Sequence, residues 1–342
     1  MKSDRGSRMF NYAIEMGSSN TVIYRVGYGV VLKEPTLIAI EHDGEKTTIK
    51  GVGHKARKLL GKTNSKVEVI APIFEDTVVS PQYAKLLLRE FLKKVSSKNP
   101  FSRVKTLFCL PCGLNIKERT KFKHLAYSLN ITYAETLPSA ICALTGMDVD
   151  VYDSTASMVV NIGGGNTDIA VVNNGTIVKG CTINVGGIGI DNAIISYVKD
   201  NYNLVISASE AEEAKKELSS LHPKDTSHMT VEGIDSTTLE HRSIDLTAKE
   251  LVPIVVTFFN KVVDAINTIL NMCNSDIIAD ISKNGIYFCG GLSKITALEQ
   301  FMRAKTKMPI YIDIHPEYSV INGVGMLLND PKKLEELIKE FM

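Results

Sequence analysis

The chain has 342 residues, of which 44% are hydrophobic and 23% are charged, and its 39 Lys and Arg residues nearly balance its 38 Asp and Glu residues. With a net charge of +1 and no basic block, the composition gives no support for long-range attraction to nucleic acid, so we expect no nucleic-acid partner. This length predicts about two domains. The longest apolar stretch, residues 251–259, is too short to cross a bilayer, and residues 1–5 lack the apolar core of a signal peptide, so we expect a cytoplasmic protein.

The six cysteines form no regular framework, which suits a reducing compartment. Cys109 and Cys112 have the spacing of half a zinc site, but neither a second pair nor a histidine cluster accompanies them. We therefore expect buried free thiols, and no catalytic metal beyond the ion that a nucleotide brings.

Two stretches of the chain share one pattern, in which β-type runs are joined by a short loop of small residues and then by a hairpin turn. The runs are residues 10–16, 21–26 and 30–32 in the first half, and residues 157–162, 167–172 and 176–183 in the second. The turn residues between them predict three antiparallel strands in each copy. Because the copies lie 146 positions apart (161 minus 15), we expect a duplicated domain.

The first loop of each copy consists of small or short polar residues, Gly17-Ser18-Ser19-Asn20 in the first and Gly163-Gly164-Gly165-Asn166 in the second. Loops without bulky side chains allow backbone N–H groups to approach phosphate oxygens closely. Taken singly, each loop is more typical of an ordinary hairpin turn. The pair predicts a clamp that holds the phosphates of one nucleotide from two sides.

Helical and β-type patterns alternate along the rest of the chain. The elements predicted between the copies are a helix at 81–95, a strand at 104–110, a helix at 117–129, a strand at 131–134 and a helix at 138–144. The elements predicted after them are helices at 190–202, at 209–221 and from Thr247 towards Met272, and a strand at 285–289. Capping-box sequences at Ser207–Glu210 and Thr247–Glu250 begin two of these helices. The alternation predicts an α/β fold, and the polar segment 222–241 predicts a peripheral insertion outside the core.

Further segments carry a specific resemblance. They are residues 24–35 (YRVGYGVVLKEP), residues 52–63 (VGHKARKLLGKT), residues 185–187, Asp191 and residues 202–204. In this order, and together with the two loops, they resemble the MreB family of bacterial actins within the actin, Hsp70 and sugar-kinase ATPase superfamily. The abundance of Asn, Lys and Ile, the absence of Trp and the altered catalytic positions resemble a divergent MreB paralogue of helical wall-less bacteria.

The resemblance implies an actin-like ATPase fold, in which two duplicated RNase H-like domains, four subdomains in all, surround a nucleotide cleft. It places domain I at residues 1–146 with 316–342 and domain II at residues 147–315. The small subdomains are then residues 33–74 and 182–244. It also implies ATP or ADP with Mg²⁺ in the cleft, and protofilaments at the inner face of the cell membrane that serve cell shape or motility. Other MreB paralogues are further expected partners.

The nucleotide contacts of the family fall on matching positions of this chain. They place Ser18, Ser19 and Asn20 on one side of the phosphates and Gly164, Gly165 and Asn166 on the other. The contacts with ribose and adenine fall on Glu212, Glu213 and Lys215 and, across from them, on Gly290, Gly291 and Leu292. Glu15 and Asn161 are the positions that order Mg²⁺ through water.

The chain departs from the family at three acidic positions. Glu15 replaces Asp, Asn161 replaces Asp, and Leu137 replaces the Glu that positions or activates the attacking water. Leucine cannot act as a base, and loss of a general base typically costs about a hundredfold to ten-thousandfold in rate. Asn166 also stands where the family has Thr, and Glu135 serves as a substitute base only in a different backbone register. We therefore expect ATP binding with weak hydrolysis, and we assign no catalytic residue.

Other functions share parts of this pattern. A sugar or acetate kinase has the same clamp but needs a catalytic Asp beside a substrate pocket, and the sequence has no motif for one. A nonpolymerising, nucleotide-dependent scaffold also remains an alternative. A peptide-binding Hsp70 is excluded, because no β-rich substrate domain follows the nucleotide-binding part.

Two segments bear on membrane contact. The loop 98–103 carries Phe101, the candidate for contact with lipid, although an anchored Phe in an ordinary surface loop is at least as typical of this sequence. Near the C-terminus an apolar stripe is flanked by balanced charges, which predicts packing on the protein itself. The stripe consists of Leu334, Leu337, Ile338 and Phe341.

Overall fold

The computed structural model describes residues 10–44, 46–61, 66–96 and 104–341. The strands, in chain order, are β1 (Tyr12–Met16), β2 (Asn20–Arg25), β3 (Gly29–Pro35), β4 (Ile38–Asp43), β5 (Lys46–Val52), β6 (Val67–Ile70), β7 (Ile73–Phe74), β8 (Thr77–Val78), β9 (Lys105–Leu110), β10 (Tyr133–Pro138), β11 (Ser157–Ile162), β12 (Thr167–Asn173), β13 (Thr176–Ile183), β14 (Leu204–Val205), β15 (His228–Asp235), β16 (His241–Thr247), β17 (Ile286–Cys289) and β18 (Ile310–Ile312). The helices are α1 (His54–Arg57), α2 (Pro81–Val95), α3 (Ile116–Tyr127), α4 (Ser139–Gly146), α5 (Gly187–Tyr202), α6 (Ala208–Leu218), α7 (Ala248–Asn271), α8 (Ser275–Asn284), α9 (Leu298–Thr306), α10 (Ser319–Leu328) and α11 (Pro331–Glu340).

Two five-stranded mixed sheets, one from each half of the chain, are the largest elements of the fold. The first has the strand order β10-β9-β1-β2-β3 and the second the order β13-β12-β11-β17-β18. In each sheet, three antiparallel strands joined by hairpins continue into two strands that run parallel to the first of the three. The hairpin predictions are therefore confirmed, and the two sheets repeat one topology, as a duplicated α/β fold requires.

Three smaller sheets lie beside these. Strands β5, β4 and β6 form one, strands β14, β15 and β16 form another, and β7 and β8 form a short hairpin. The β15–β16 hairpin contradicts the prediction that 222–241 is an insertion outside the core, because Val231 is fully buried in the main core cluster of the second half. The domain and subdomain limits stay predictions.

Helix limits follow the capping residues. Helix α2 has the predicted limits, with Ser80 as its N-cap and Pro81 in its first turn. The predicted capping box of Thr247 and Glu250 is complete in α7. The box at the start of α6 is half formed, because Ser207 accepts the N–H of Glu210 at 3.1 Å while the Glu210 carboxylate instead accepts a backbone N–H of β15.

The third core cluster joins the two halves of the chain. It contains Leu107 and Leu137 from the first sheet, Val159 and Ala170 from the second, and Val324 from α10. Helix α11 covers one side of this cluster with the buried residues of the C-terminal stripe, Leu334, Leu337 and Ile338. The prediction that this stripe packs on the protein is confirmed.

Helix α7 is long and apolar enough to cross a bilayer, with a mean hydropathy of 1.4 over an 18-residue window, and it alone meets this test within the described residues. The expectation that no stretch is long enough is therefore wrong by length and composition. However, α7 packs one face into the core of the second half through residues such as Phe259, Val262 and Ile266, each fully buried. A buried core helix passes the same test, and these contacts are typical of one.

Helices α4 and α10 cross at unusually short range because glycines occupy the crossing. A Cβ on Gly323 would lie 1.7 Å from the carbonyl oxygen of Cys142, and a Cβ on Gly146 would lie 2.0 Å from that of Ser319. Such contacts leave no room for even one methyl group. The approach matters for the cleft because α4 continues directly from β10.

Replacing Gly323 by Ala should destabilise the protein by about 2–4 kcal/mol, since the methyl group would force the two helices apart. Urea unfolding of the purified chain measures the change. Gly189→Ala is the matched control, because a Cβ there meets nothing within 4 Å and the substitution should be neutral or stabilising in a helix. Equal stability of the two variants would contradict the close crossing.

Candidate functional site

The two small-residue loops form closely similar turns at corresponding ends of the two large sheets. In the first, the N–H of Gly17 donates to the carbonyl of Asn20 at 3.1 Å, and in the second the N–H of Gly163 donates to the carbonyl of Asn166 at 2.9 Å. We call them turn 1 (residues 17–20) and turn 2 (residues 163–166). Each connects the first two antiparallel strands of its sheet.

Turn 1 and turn 2 face each other across the cleft between the sheets. A Cβ on Gly164 would lie 2.5 Å from the Cβ of Ser19, and a Cβ on Gly165 would lie 2.3 Å from the Oγ of Ser18. Any side chain on either glycine would therefore collide with turn 1. The tertiary structure brings together the two segments that the sequence pairs only by their similarity.

Both turns keep polar groups without a partner in the protein. Across the described ranges, the N–H groups of Ser19, Gly164 and Gly165 donate to no backbone carbonyl. Asn166 is 2% exposed, yet its Nδ2 has no hydrogen-bond partner in the described structure. A buried, unsatisfied amide costs free energy unless a ligand or water accepts from it. These donors fit the phosphate groups of a nucleotide.

The start of helix α5 supports turn 2 from behind. The N–H of Gly187 donates to the carbonyl of Gly163 at 3.0 Å, and the N–H of Ile188 donates to that of Gly164 at 2.8 Å. Gly186 must lack a side chain, because a Cβ there would lie 2.5 Å from the Gly164 carbonyl oxygen. The helix therefore fixes the shape of the turn.

Lys215 of α6 lies beside this helix start. Its Nζ donates to the carbonyl of Gly187 at 3.1 Å and to the carboxylate of Asp191 at 2.8 Å. Leu292 lies against the same glycine, because its Cδ1 is 3.2 Å from where a Cβ of Gly187 would be. Lys215 and Leu292, predicted from separate segments, are thus brought together.

Glu212 connects helix α6 with the first half of the chain. Its carboxylate forms ion pairs with Arg57 of α1, in the first half of the chain, and with Lys216 of its own helix, at 2.6 Å. Burial opposes ionisation of Glu212, but the bond with Lys216 and the charge of Arg57 outweigh it and lower the pKa. Glu213 is exposed. No local residue pattern predicted the contact of Glu212 with Arg57, which lies 155 positions away.

Gly290 and Gly291 begin the turn after β17. Gly290 has φ of 85°, and a Cβ there would lie 2.3 Å from the Ile162 carbonyl oxygen and 2.6 Å from the Oδ1 of Asn161. Around Gly291, no atom of the described residues lies within 4 Å of an added Cβ. The backbone of Gly291 therefore borders open space, as a wall against a flat ligand requires.

Glu15, Cys109 and Leu137 lie side by side on the floor of the cleft, because they occupy neighbouring positions of three parallel strands. Leu137 is 1% exposed and packs in the core cluster that joins the halves. Glu135, two positions before it, forms an ion pair with Lys123 of α3. Leu137 has no carboxylate and the Glu135 carboxylate is paired with Lys123, so neither residue presents a free carboxylate to turn 1 or turn 2.

Two acidic residues that the site prediction omitted lie at the turns. Asp168, the second residue of the strand after turn 2, accepts the backbone N–H of Cys112 at 3.0 Å and the hydroxyls of Ser139 at 3.0 Å and Thr182 at 2.7 Å. Asp76, on the β7–β8 hairpin, accepts the N–H and the hydroxyl of Ser18 at 2.7 and 2.8 Å. Asp168 lies opposite Asn161 in the β11–β12 hairpin, so the hairpin pattern of the sequence already placed it beside a predicted site residue. Asp76 is 58 positions from Ser18, and no local sequence pattern links the two residues.

These carboxylates make the floor of the cleft acidic. Burial raises the pKa of Glu15 to about 7, with the negative charge of Asp76 adding to the rise and Lys33 opposing it. Burial also raises the pKa of Asp76 and of Asp168, despite their hydrogen bonds. A cation is favoured beside such groups.

The donor set suits Mg²⁺ held partly through water. No group of three or more His, Cys, Asp or Glu side chains within the described residues forms a metal site by itself. The carboxylate of Glu15 and the amide oxygen of Asn161 are the hard oxygen donors that Mg²⁺ prefers, and Mg²⁺ usually keeps several waters and phosphate oxygens as its other ligands. The residues present therefore fit a nucleotide-borne Mg²⁺ and not a dedicated protein cage.

Replacing Glu15 by Gln should change how stability depends on pH. Burial raises the pKa of folded-state Glu15 from 4.5 to about 7, so this group's contribution to stability is complete below pH 4.5 and is lost as the pH rises through 7. We expect Glu15→Gln to gain on the order of 2 kcal/mol relative to the wild type over that window, since some exposure of Glu15 reduces the effect. Urea unfolding at several pH values, without nucleotide or metal, measures it.

Glu299→Gln, which removes a surface carboxylate paired with Arg303, is the control and should show no such gain. If the stability of Glu15→Gln followed the wild type at a constant offset from pH 4.5 to 8, the raised pKa would be wrong.

Comparisons with known proteins agree with this geometry. The family described as MreB/Mbl protein matches residues 9–336. The cell shape-determining protein MreB of Escherichia coli strain K12 is 30% identical over 333 residues, 96% of each chain. The cell shape-determining protein Mbl of Bacillus subtilis strain 168 is 29% identical over 325 residues, 94% of this chain and 96% of that one.

Solved structures show the same fold. A crystal structure of MreB5 of Spiroplasma citri bound to AMPPNP has a TM-score of 0.89 and 25% identity, covering 95% of this chain and 97% of that one. The MamK double helical filament has a TM-score of 0.78 and 16% identity, covering 93% and 98%. These matches confirm the actin-like fold and the resemblance to a divergent paralogue. From its sequence and its fold, the chain belongs to the MreB/Mbl family.

Proposed function

We propose that this protein is an actin-like cytoskeletal protein that binds ATP or ADP between turn 1 and turn 2, assembles into filaments, and serves cell shape or motility. The observation that carries the proposal is the pair of opposed turns with their free N–H donors and the unpartnered amide of Asn166. The relatives named as cell shape-determining proteins and the nucleotide-bound MreB5 structure support the same function.

The phosphates lie between the two turns in this proposal. Ser18, Ser19 and Asn20 serve one side, and Gly164, Gly165 and Asn166 the other. Support comes from the close approach of the turns and from the absence of side chains on the two glycines. Backbone N–H groups that converge in this way bind anions well.

The nucleoside lies against helix α6 and the Gly290–Leu292 turn. Lys215 and Leu292 both border the same wall, beside Gly187, and the open space at Gly291 accommodates a flat base. Glu212 and Glu213 are assigned to ribose and adenine. Because Glu212 also pairs with Arg57, ribose binding and the contact between α1 and α6 depend on one carboxylate.

Glu15 and Asn161 are assigned to Mg²⁺ through water. Mg²⁺, when bound, neutralises phosphate charge, which suits the acidic floor of the cleft. Asn161 is neutral, so Glu15 is the charged member of this pair. Its raised pKa makes the strength of Mg²⁺ binding depend on pH near neutrality.

Hydrolysis is weak in this proposal because a general base is missing from the expected position. Leu137 is enclosed by apolar side chains, and the Glu135 carboxylate is held by Lys123. Both observations support a site that binds ATP and hydrolyses it slowly. No residue is assigned as catalytic.

Filament formation is favoured over a scaffold that does not polymerise, because the similar MamK chain is a double helical filament. A sugar or acetate kinase is the less favoured alternative. The carboxylate nearest to turn 2, Asp168, is engaged by three protein donors and is not free to activate a substrate hydroxyl.

The Leu137→Glu substitution should raise the rate of phosphate release from ATP by about a hundredfold or more, because it restores a carboxylate at the position of the family's base. A steady-state phosphate-release assay measures it. Leu137→Gln is the control, with similar size and polarity but no basic carboxylate, and should stay near the wild-type rate. A wild-type rate equal to that of ordinary MreB proteins would refute weak hydrolysis.

The proposed function is tested most directly by sedimentation. The protein should pellet with Mg·ATP and equally well with a nonhydrolysable analogue, because binding rather than hydrolysis organises the cleft. It should stay in the supernatant when nucleotide is removed. Nucleotide binding without pelleting at any protein concentration would favour the nonpolymerising scaffold.

Membrane association is the less direct part of the proposal. The loop 98–103 with Phe101 lies outside the described residues, so its assignment stays a prediction. Repeating the sedimentation with liposomes tests it, since Phe101→Ser should reduce co-sedimentation if this loop is the main anchor. Unchanged co-sedimentation would place the anchor elsewhere.

A further inference from the structure

The carboxylate of Asp76 already occupies an anion cradle in turn 1. Its Oδ1 accepts the backbone N–H of Ser18 at 2.7 Å and the Ser18 hydroxyl at 2.8 Å. In return, the Asp76 N–H donates to the same hydroxyl oxygen at 2.9 Å. The Oδ1 atom also lies 3.4 Å from where a Cβ of Gly17 would be. Asp76 therefore lies directly over the turn.

The hairpin that carries Asp76 holds it there in an unfavourable backbone conformation. Glu75 and Asp76, the two residues between β7 and β8, have φ of 48° and 53°. Such turns favour Asn-Gly or Gly-Gly, because other residues disfavour positive φ. The contacts with Ser18 offset this cost, so the hairpin and turn 1 are coupled through one carboxylate.

Turn 2 lies on the other side of the hairpin that carries Asp76. A Cβ on Gly165 would lie 3.3 Å from the Cα of Glu75, so the hairpin touches both turns. Asn166 is close enough to affect the Asp76 carboxyl, whose pKa is raised by burial and lowered by Ser18 and then by Asn166. The Nδ2 of Asn166 nevertheless has no hydrogen-bond partner within the described residues.

A carboxylate and a phosphate compete for the same donors. Both are anions that accept N–H and O–H groups at about 2.7–2.9 Å. A phosphate that enters between the turns therefore has to displace Asp76 from Ser18 or bind beside its negative charge. A triphosphate has one more anionic group than a diphosphate, so competition with Asp76 weakens its binding more.

We propose that Asp76 is an internal competitor for the terminal phosphate of the nucleotide, so that it weakens ATP binding relative to ADP and couples ATP binding to release of the β7–β8 hairpin from turn 1. This inference rests on the proposed function, since it deepens how the same cleft selects its nucleotide. It makes Asp76 a specificity-determining residue.

Nucleotide titration of the full-length protein tests the proposal. Asp76→Gly removes the competing carboxylate and suits the positive φ, so it should tighten Mg·ATP binding about tenfold, the effect of one charge-assisted contact. Mg·ADP binding should change by about threefold or less. Asp76→Asn keeps the shape of the contact without the charge and should shift ATP affinity in the same direction by a smaller factor.

Glu75→Gln is the matched control, because it removes the same charge one residue earlier on the hairpin without touching Ser18. Its ratio of ATP to ADP affinity should equal that of the wild type. A second readout is hydrogen exchange of residues 73–78, which should quicken when ATP is added to the wild-type protein and not when ADP is added.

Two outcomes would overturn the proposal while leaving nucleotide binding intact. If Asp76→Gly bound ATP and ADP in the wild-type ratio, the contact with Ser18 would be structural only. If the variant bound Mg·ATP more weakly, Asp76 would be assisting the metal or the phosphate. If neither the wild type nor any variant bound nucleotide, the proposed function would itself be wrong.

Discussion

The buried carboxylate of Asp168 fastens the two halves of the molecule together beneath the cleft. It accepts the N–H of Cys112 and the hydroxyl of Ser139, both from the first half, and the hydroxyl of Thr182 from the second. A buried carboxylate without these donors would be costly, so the contacts with Cys112 and Ser139 hold the halves in one arrangement, while Thr182 orients the carboxylate within its own half. The separation of turn 1 and turn 2 depends on that arrangement, because Asp168 lies at the beginning of the strand that leaves turn 2, one residue after Thr167.

The cleft above this contact combines strong anion-binding geometry with an excess of negative charge. The N–H donors of the two turns favour phosphate, whereas Glu15, Asp76 and Asp168 disfavour it unless a cation enters too. Charge of this kind favours a cation beside any bound phosphate. Leu137 on the floor of the cleft is an apolar residue packed in the core cluster that joins the halves, which is the basis of the proposed weak hydrolysis.

Much of the fold was predictable because its signals are local. Strand β11 and helix α2 have the predicted limits, since Gly and Asn turns and the Ser80-Pro81 start mark their ends. The segment 222–241 misled the prediction because its polar residues alternate with few apolar ones, and Val231 is buried only through packing against the second-half core. Strand β10 continues to Pro138 because its pairing with β9 extends that far.

The sequence by itself determined the duplication, the two small-residue turns and the apolar side chain at Leu137, because each is written in adjacent residues. Only the tertiary structure decided which distant groups meet those turns. Asp76 reaches Ser18 across 58 positions, and Arg57 reaches Glu212 across 155. Contacts of this kind arise from how the sheets and helices pack, and local residue patterns carry no record of that packing.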